Sequence, residues 1–88
     1  MPEPANSDRA DWAENAVNVF AAETYCGRTF TDTVVEQPEK GDDAYTMVTD
    51  LIADLLHLAD RHGWSADDIM GSARNHYDEE KAEVMGNA

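Results

Sequence analysis

The chain has 88 residues, with 19 Asp and Glu against 6 Lys and Arg and a formal net charge of −13. That length fits one small domain with a single modest core and excludes a core combined with a deep substrate cavity. Charge of this sign repels DNA, RNA and anionic lipid at long range, which excludes direct nucleic-acid binding and favours a partner with a basic surface.

Hydrophobic residues make up 42% of the chain, and they fall in helical periods rather than in the pattern of a disordered polyelectrolyte. Residues 1–6, with Pro2 and Pro4, are expected to be a disordered terminus. Ser7 or Asp8 can cap a first helix over about 8–26. Its apolar face is Ala10, Ala13, Val17, Phe20, Ala21 and Thr24, and Gly27 suits the C-terminal stop. Trp12 and Val19 lie on a flank of that face and are candidates for contact with the following loop or for a dimer surface.

Residues 28–41 break the helical period. Thr29, Phe30, Thr31, Thr33, Val34 and Val35 favour extended backbone, and Pro38 and Gly41 punctuate the segment. The expectation is an extended loop over the helices, with Phe30 and Val34 or Val35 pinned to the core. The alternative is a strand pairing with the same segment of a second chain, which adds Phe30 and Val34 to Trp12 and Val19 as a homodimer surface.

A second helix runs from Asp42 or Asp43 to His62 and is stopped by Gly63. Ala44, Val48, Leu51, Ile52, Leu55, Leu58, Ala59 and His62 share its broad apolar face, opposite Asp50, Asp54, His57 and Asp60. Ser65 caps a third helix over about 66–83, with Asp67 and Asp68 in its first turn and Ala66, Ile69, Met70, Ala73 and Tyr77 along one side. The short connection makes these two helices an antiparallel hairpin or a steep corner. The fold class read from this pattern is all-α: a small three-helix domain over 7–85 with an extended loop between helices 1 and 2, and a frayed end at 86–88. Leu51, Leu55, Leu58, Phe20, Ile69, Ala73 and Tyr77 are the expected core.

Searching for chemistry returns little. Asp50, Asp54 and His57 share one side of the second helix, but they face away from the apolar side. Di-metal sites need matching carboxylates from several helices projecting into the core, so a metal site is not expected. The glycines are isolated, so no phosphate-cradling loop is present. The single Cys26 has no cationic helix-start environment, and the serines lack a nucleophile context. The chain reads as a non-enzyme without cofactors. It shows no apolar run of membrane-spanning length and no charged leader before an apolar segment, so a cytoplasmic location is expected.

The carboxylates are more informative as a pattern. Asp50, Asp54, Asp67, Asp68, Asp78, Glu79 and Glu83 decorate the outer sides of the helices. Carboxylates four residues apart sit about 6 Å apart along a helix axis, comparable with the spacing of duplex phosphates. These seven are the candidate partner-binding residues of an acidic surface shaped like a nucleic-acid backbone. A solvated surface, or adaptation to high salt, explains the same acidity without a partner.

The run Thr49 to Asp60 (TDLIADLLHLAD), then Gly63, then Ala73-x-x-His76-Tyr77-x-x-Glu80 resembles short, mostly uncharacterised helical proteins carried by bacterial phages and plasmids. With the looser Phe20 to Phe30 stretch it covers about two thirds of the chain, and it implies a mobile-element setting. In size and charge the chain also resembles acidic anti-CRISPR and anti-restriction inhibitors, some of which imitate DNA. That implies an inhibitor of a basic, nucleic-acid-binding protein, in the host cytoplasm if phage-encoded. The other reading is a structural or dimerising scaffold of a mobile element.

Overall fold

The computed structural model describes residues 5–37 and 42–86, the side chains of 42 and 83–86 excepted. Expectations placed on 1–4, 38–41 and 87–88, including the punctuation by Pro38 and Gly41, lie outside the described residues. Four helices follow one another: α1 (Asn6–Thr24), α2 (Phe30–Glu36), α3 (Asp42–Arg61) and α4 (Ala66–Gly86). The all-α class therefore holds, but with four helices rather than three. Among the described residues there is no strand, and no helix is long and apolar enough to cross a membrane.

The extended loop expected between the first two long helices is largely a helix. Its start is set by Thr29, whose hydroxyl accepts a bond from the Asp32 N–H at 3.2 Å. Asp32 stands in the first turn, where the helix dipole favours a carboxylate. Thr33 is fully buried, and its hydroxyl donates to the Thr29 carbonyl at 2.7 Å, so its polar atom costs nothing in the core. These local bonds, together with burial of one face, outweigh the extended preference of the Thr and Val residues.

α1 begins at Asn6, earlier than expected, and neither Ser7 nor Asp8 is its cap residue. Ala5 occupies that place and has no side-chain oxygen to offer. Asp8 instead reaches back to accept from the Ala5 N–H at 3.1 Å. At the other end Tyr25 N–H bonds the Ala21 carbonyl at 2.7 Å and Gly27 N–H the Ala22 carbonyl at 3.0 Å. Cys26 (φ 54°) and Gly27 (φ 85°) both take left-handed backbone to make that stop.

The chain forms two compact units, divided between Ala53 and Asp54. In the first, α2 packs along α1. Asn18 clamps the start of α2: its amide nitrogen donates to Thr31 Oγ1 at 3.0 Å, and its amide oxygen accepts from Thr31 N–H at 2.9 Å. The Thr31 hydroxyl in turn bonds the Glu14 carboxylate. Val17, Ala21 and Met47 form the core cluster, with Tyr25, Phe30 and Leu51 packed against it half-buried. Ala44 is also buried. Phe30 is thus pinned inward as expected, while Val34 and Val35 are exposed.

The second unit contains the end of α3, a four-residue connection and α4. α3 is closed by Trp64 N–H bonding the Ala59 carbonyl at 2.9 Å, across Gly63 at φ 75°. Ser65 then caps α4 by accepting from Asp68 N–H at 3.2 Å. Among the described residues the two helices make little backbone contact along their lengths, so they are not a packed hairpin.

This sparse packing overturns most of the expected core. Leu51 and Phe20 are half-buried, but Leu55, Leu58, Ile69, Ala73 and Tyr77 are exposed, and Met47 is the large side chain fully buried. Periodicity identifies the apolar side of a helix, not whether another element covers it. A fully buried Leu55 would be expected to lose about 2–5 kcal/mol on truncation to Ala. Half-exposed, it should lose about 1 kcal/mol or less, and the 2–5 kcal/mol penalty should fall on Met47→Ala instead. Urea denaturation of both variants at low protein concentration measures the order.

Candidate interaction surface

Successive residues of a helix are turned by about 100°, which fixes where each carboxylate of α4 stands. Asp67, Asp68, Asp78 and Glu79 share an arc of about 120° on the side of α4 opposite Ile69, Ala73 and Tyr77, and all four are exposed. They form two pairs, Asp67 with Asp68 and Asp78 with Glu79, rather than an unbroken row. Eleven residues separate the pairs, or about 16 Å at 1.5 Å per residue, and Gly71, Ser72 and Asn75 lie between. Glu83 falls in α4, but its side chain lies outside the described residues.

Not every member of the acidic pattern is free to meet a partner. Asp78 holds Arg74 one turn back, with Arg74 Nε at 3.2 Å from one oxygen. This exposed i,i+4 pair is worth a few tenths of a kcal/mol. Asp50 accepts a short hydrogen bond from the Tyr25 hydroxyl, which ties the end of α1 to α3. Asp54, one turn further along, is exposed. Arg28 stands between Glu36 at 3.5 Å and Asp43 at 3.6 Å, and Gln37 Nε2 donates to Asp43 at 3.2 Å. These contacts brace the first unit from its surface. Asp50 therefore belongs to the fold as much as to any interface.

The four candidates for a dimer surface divide. Trp12 and Val19 on α1 and Val34 on α2 are exposed, whereas Phe30 is half-buried against the Val17–Met47 core. With α2 helical, this stretch offers no strand edge to a second chain.

Sequence reasoning missed two features. One is the Tyr25–Asp50 bond, which no short-range signal announces because the partners are 25 residues apart. The other is an open groove at the start of α4, lined by Trp64, Ser65, Asp68, Ile69, Ala73 and His76 among others. Trp64 forms part of it while stacked on His62, ring centroids 5.0 Å apart. Further along α4, Tyr77 has the Arg74 guanidinium and the Lys81 ammonium each 5.5 Å from its ring centroid, in reach of a cation–π attraction.

Among the described residues no three His, Cys, Asp or Glu side chains gather to hold a metal ion; Asp50, Asp54 and His57 share a side of α3 without forming a cluster. No protein-family model matches the chain, and no curated protein or solved structure matches it significantly.

The Tyr25–Asp50 bond raises the phenol pKa above its ordinary 10.0. The hydrogen bond itself is the largest cause, followed by desolvation and by the charges of Asp50 and Asp43. A raised folded-state value means that the unfolded chain loses this proton first. The contact's stabilisation is therefore complete below pH 10 and is lost as pH rises through the raised value. In an ultraviolet titration one tyrosine should ionise late, and Asp50→Asn should bring it earlier. A late tyrosine unmoved by Asp50→Asn would contradict the assignment.

Proposed function

We propose that this chain is an acidic binding protein that occupies the nucleic-acid site of a basic protein and so inhibits it, without catalysing a reaction. The observation that carries the reading is the division of α4. Two carboxylate pairs stand on one side, exposed and about 16 Å apart, and the apolar residues stand on the other. A helix fixes such a spacing, as a flexible acidic tail does not. Sixteen ångströms is about five axial phosphate steps along one strand of a duplex, so the two pairs can meet two separate cationic subsites of a nucleic-acid groove. The net charge of −13 adds long-range attraction and a fast, salt-sensitive encounter.

The binding residues in this reading are Asp67, Asp68, Asp78 and Glu79, with Asp54 on α3 and Glu83 further along α4. Asp50 is set apart because Tyr25 holds it, and Asp78 would have to exchange its exposed Arg74 pair for the partner. The phage and plasmid resemblance points to the host cytoplasm as the setting and a bacterial defence complex as the target class.

The test captures proteins from a bacterial lysate on the immobilised chain, in parallel with a variant carrying Asp67→Asn, Asp68→Asn, Asp78→Asn and Glu79→Gln. Basic nucleic-acid-binding proteins should be retained at about 0.1 M salt and released by about 0.5 M. The variant should retain at least tenfold less, and added duplex DNA should compete. Equal retention by the variant, or retained proteins that still bind DNA freely, would eliminate the proposal.

A further inference from the structure

We propose that the groove at the start of α4 is a docking site for an arginine side chain of a basic protein. The residues that line it all belong to the second compact unit, so the groove forms within one body of the chain. The helix period explains its shape. Asp68, Ile69, Ser72 and Ala73 recur at three- and four-residue steps and so share one stripe of α4. The short side chains of Ser72 and Ala73 leave a hollow in that stripe, and Trp64, from the connection before the helix, lines the same hollow. Its volume is about 530 Å³. That lies within the roughly 300–1,000 Å³ of ordinary ligand sites and is enough for one long side chain.

The lining selects the side chain. Ile69 and Ala73 offer apolar contact to a methylene stem, as long cationic side chains need when only their heads stay polar. Asp68 supplies a carboxylate for the head, and the Ser72 hydroxyl can accept from it. An indole is the aromatic ring that attracts cations most strongly. Trp64 is 57% exposed, and its stack on His62 takes up one face of the ring and steadies it. A guanidinium is planar and weakly hydrated, stacks on aromatic faces and pairs with a carboxylate in its own plane. An ammonium is a strongly hydrated point charge with none of that planar match. The combination of indole, carboxylate and apolar stripe therefore fits arginine better than lysine.

An anion is the competing occupant, because a helix N-terminus carries the positive end of the dipole. Here Asp67 and Asp68 stand in the first turn of α4, and Ser65 already accepts from the Asp68 N–H. The dipole is thus answered from within the chain, and an incoming anion would meet two carboxylates. Among the described residues no lysine or arginine lines the groove, and the net charge of −13 draws cations toward it. The inference rests on the proposed inhibition for the basic protein that carries the arginine. The preference of the groove for a guanidinium does not rest on it.

Nuclear magnetic resonance of the full chain at about 0.15 M salt, where loose counterion attraction is screened, tests that preference. The probes are N-acetylarginine amide, its neutral isostere N-acetylcitrulline amide, and N-acetyllysine amide. The arginine probe should shift the Trp64 indole N–H and the Ser72 and Ala73 amides saturably, with a dissociation constant on the order of 1 mM for one side chain in an open groove. The Trp12 indole should not move. Citrulline should bind at least fivefold more weakly and lysine at least threefold. Asp68→Asn should weaken the arginine probe at least threefold, and Asp11→Asn on α1, an equal loss of charge, should not. No saturable shift, equal binding of citrulline or lysine, equal movement of Trp12, or indifference to Asp68→Asn would overturn the inference and leave the proposed inhibition standing on its other carboxylates. Trp64→Leu keeps every carboxylate, and it should lower capture of basic proteins from lysate at least threefold. Capture unchanged by a folded Trp64→Leu would likewise overturn the inference and not the proposed function. If the unaltered chain captures no basic protein, the proposed function falls, and the inference falls with it as to its partner.

Discussion

The structure depends on one mismatch: α3 has a wider apolar arc than the rest of its own chain covers. α1 and α2 shelter its first half, where Ala44 and Met47 are buried and Leu51 half-buried. Val48 and Ile52 of the same arc are exposed, and beyond Ala53 so are Leu55 and Leu58, while Ala59 is buried. An isolated amphipathic helix gains little until its apolar side is packed. The covered part therefore anchors the first unit.

The two sides of α4 extend that logic. Asp67, Asp78 and Glu79 lie away from Ile69, Ala73 and Tyr77, whereas Asp68 borders the groove that Ile69 and Ala73 line and Glu80 falls within the apolar arc. The apolar side gives area with little directional demand. The acidic side gives charge at a fixed spacing, which sets encounter rate and register more than binding energy. Surface ion pairs such as Arg74–Asp78 and Arg28–Asp43 contribute little to stability in water. The high net charge is thus better understood as a property of the surface than as a support of the fold.

How much of this was legible in the sequence varied by element. α3 and α4 were readable because Gly63 and Ser65 punctuate them and their apolar spacing is strong. α2 was not, because a run of Thr and Val reads as extended; the Thr29-x-x-Asp32 cap that starts the helix is a weaker signal than the residues it organises. Met47 was overlooked because it stands at the edge of the α3 arc, yet the edge is where α1 packs. Leu55 and Tyr77 were assigned to a core because spacing reports amphipathicity, and only tertiary structure reports coverage. The carboxylates of α4 could be placed on its outer side by counting, whereas the capture of Asp50 by Tyr25 needed the fold.

Hydrogen exchange, resolved along the chain, tests the uneven covering of α3 most directly. The slowest amides should lie around Val17–Ala21 and Ala44–Leu51, with α4 far less protected. Equal protection of α1 and α4 would contradict it.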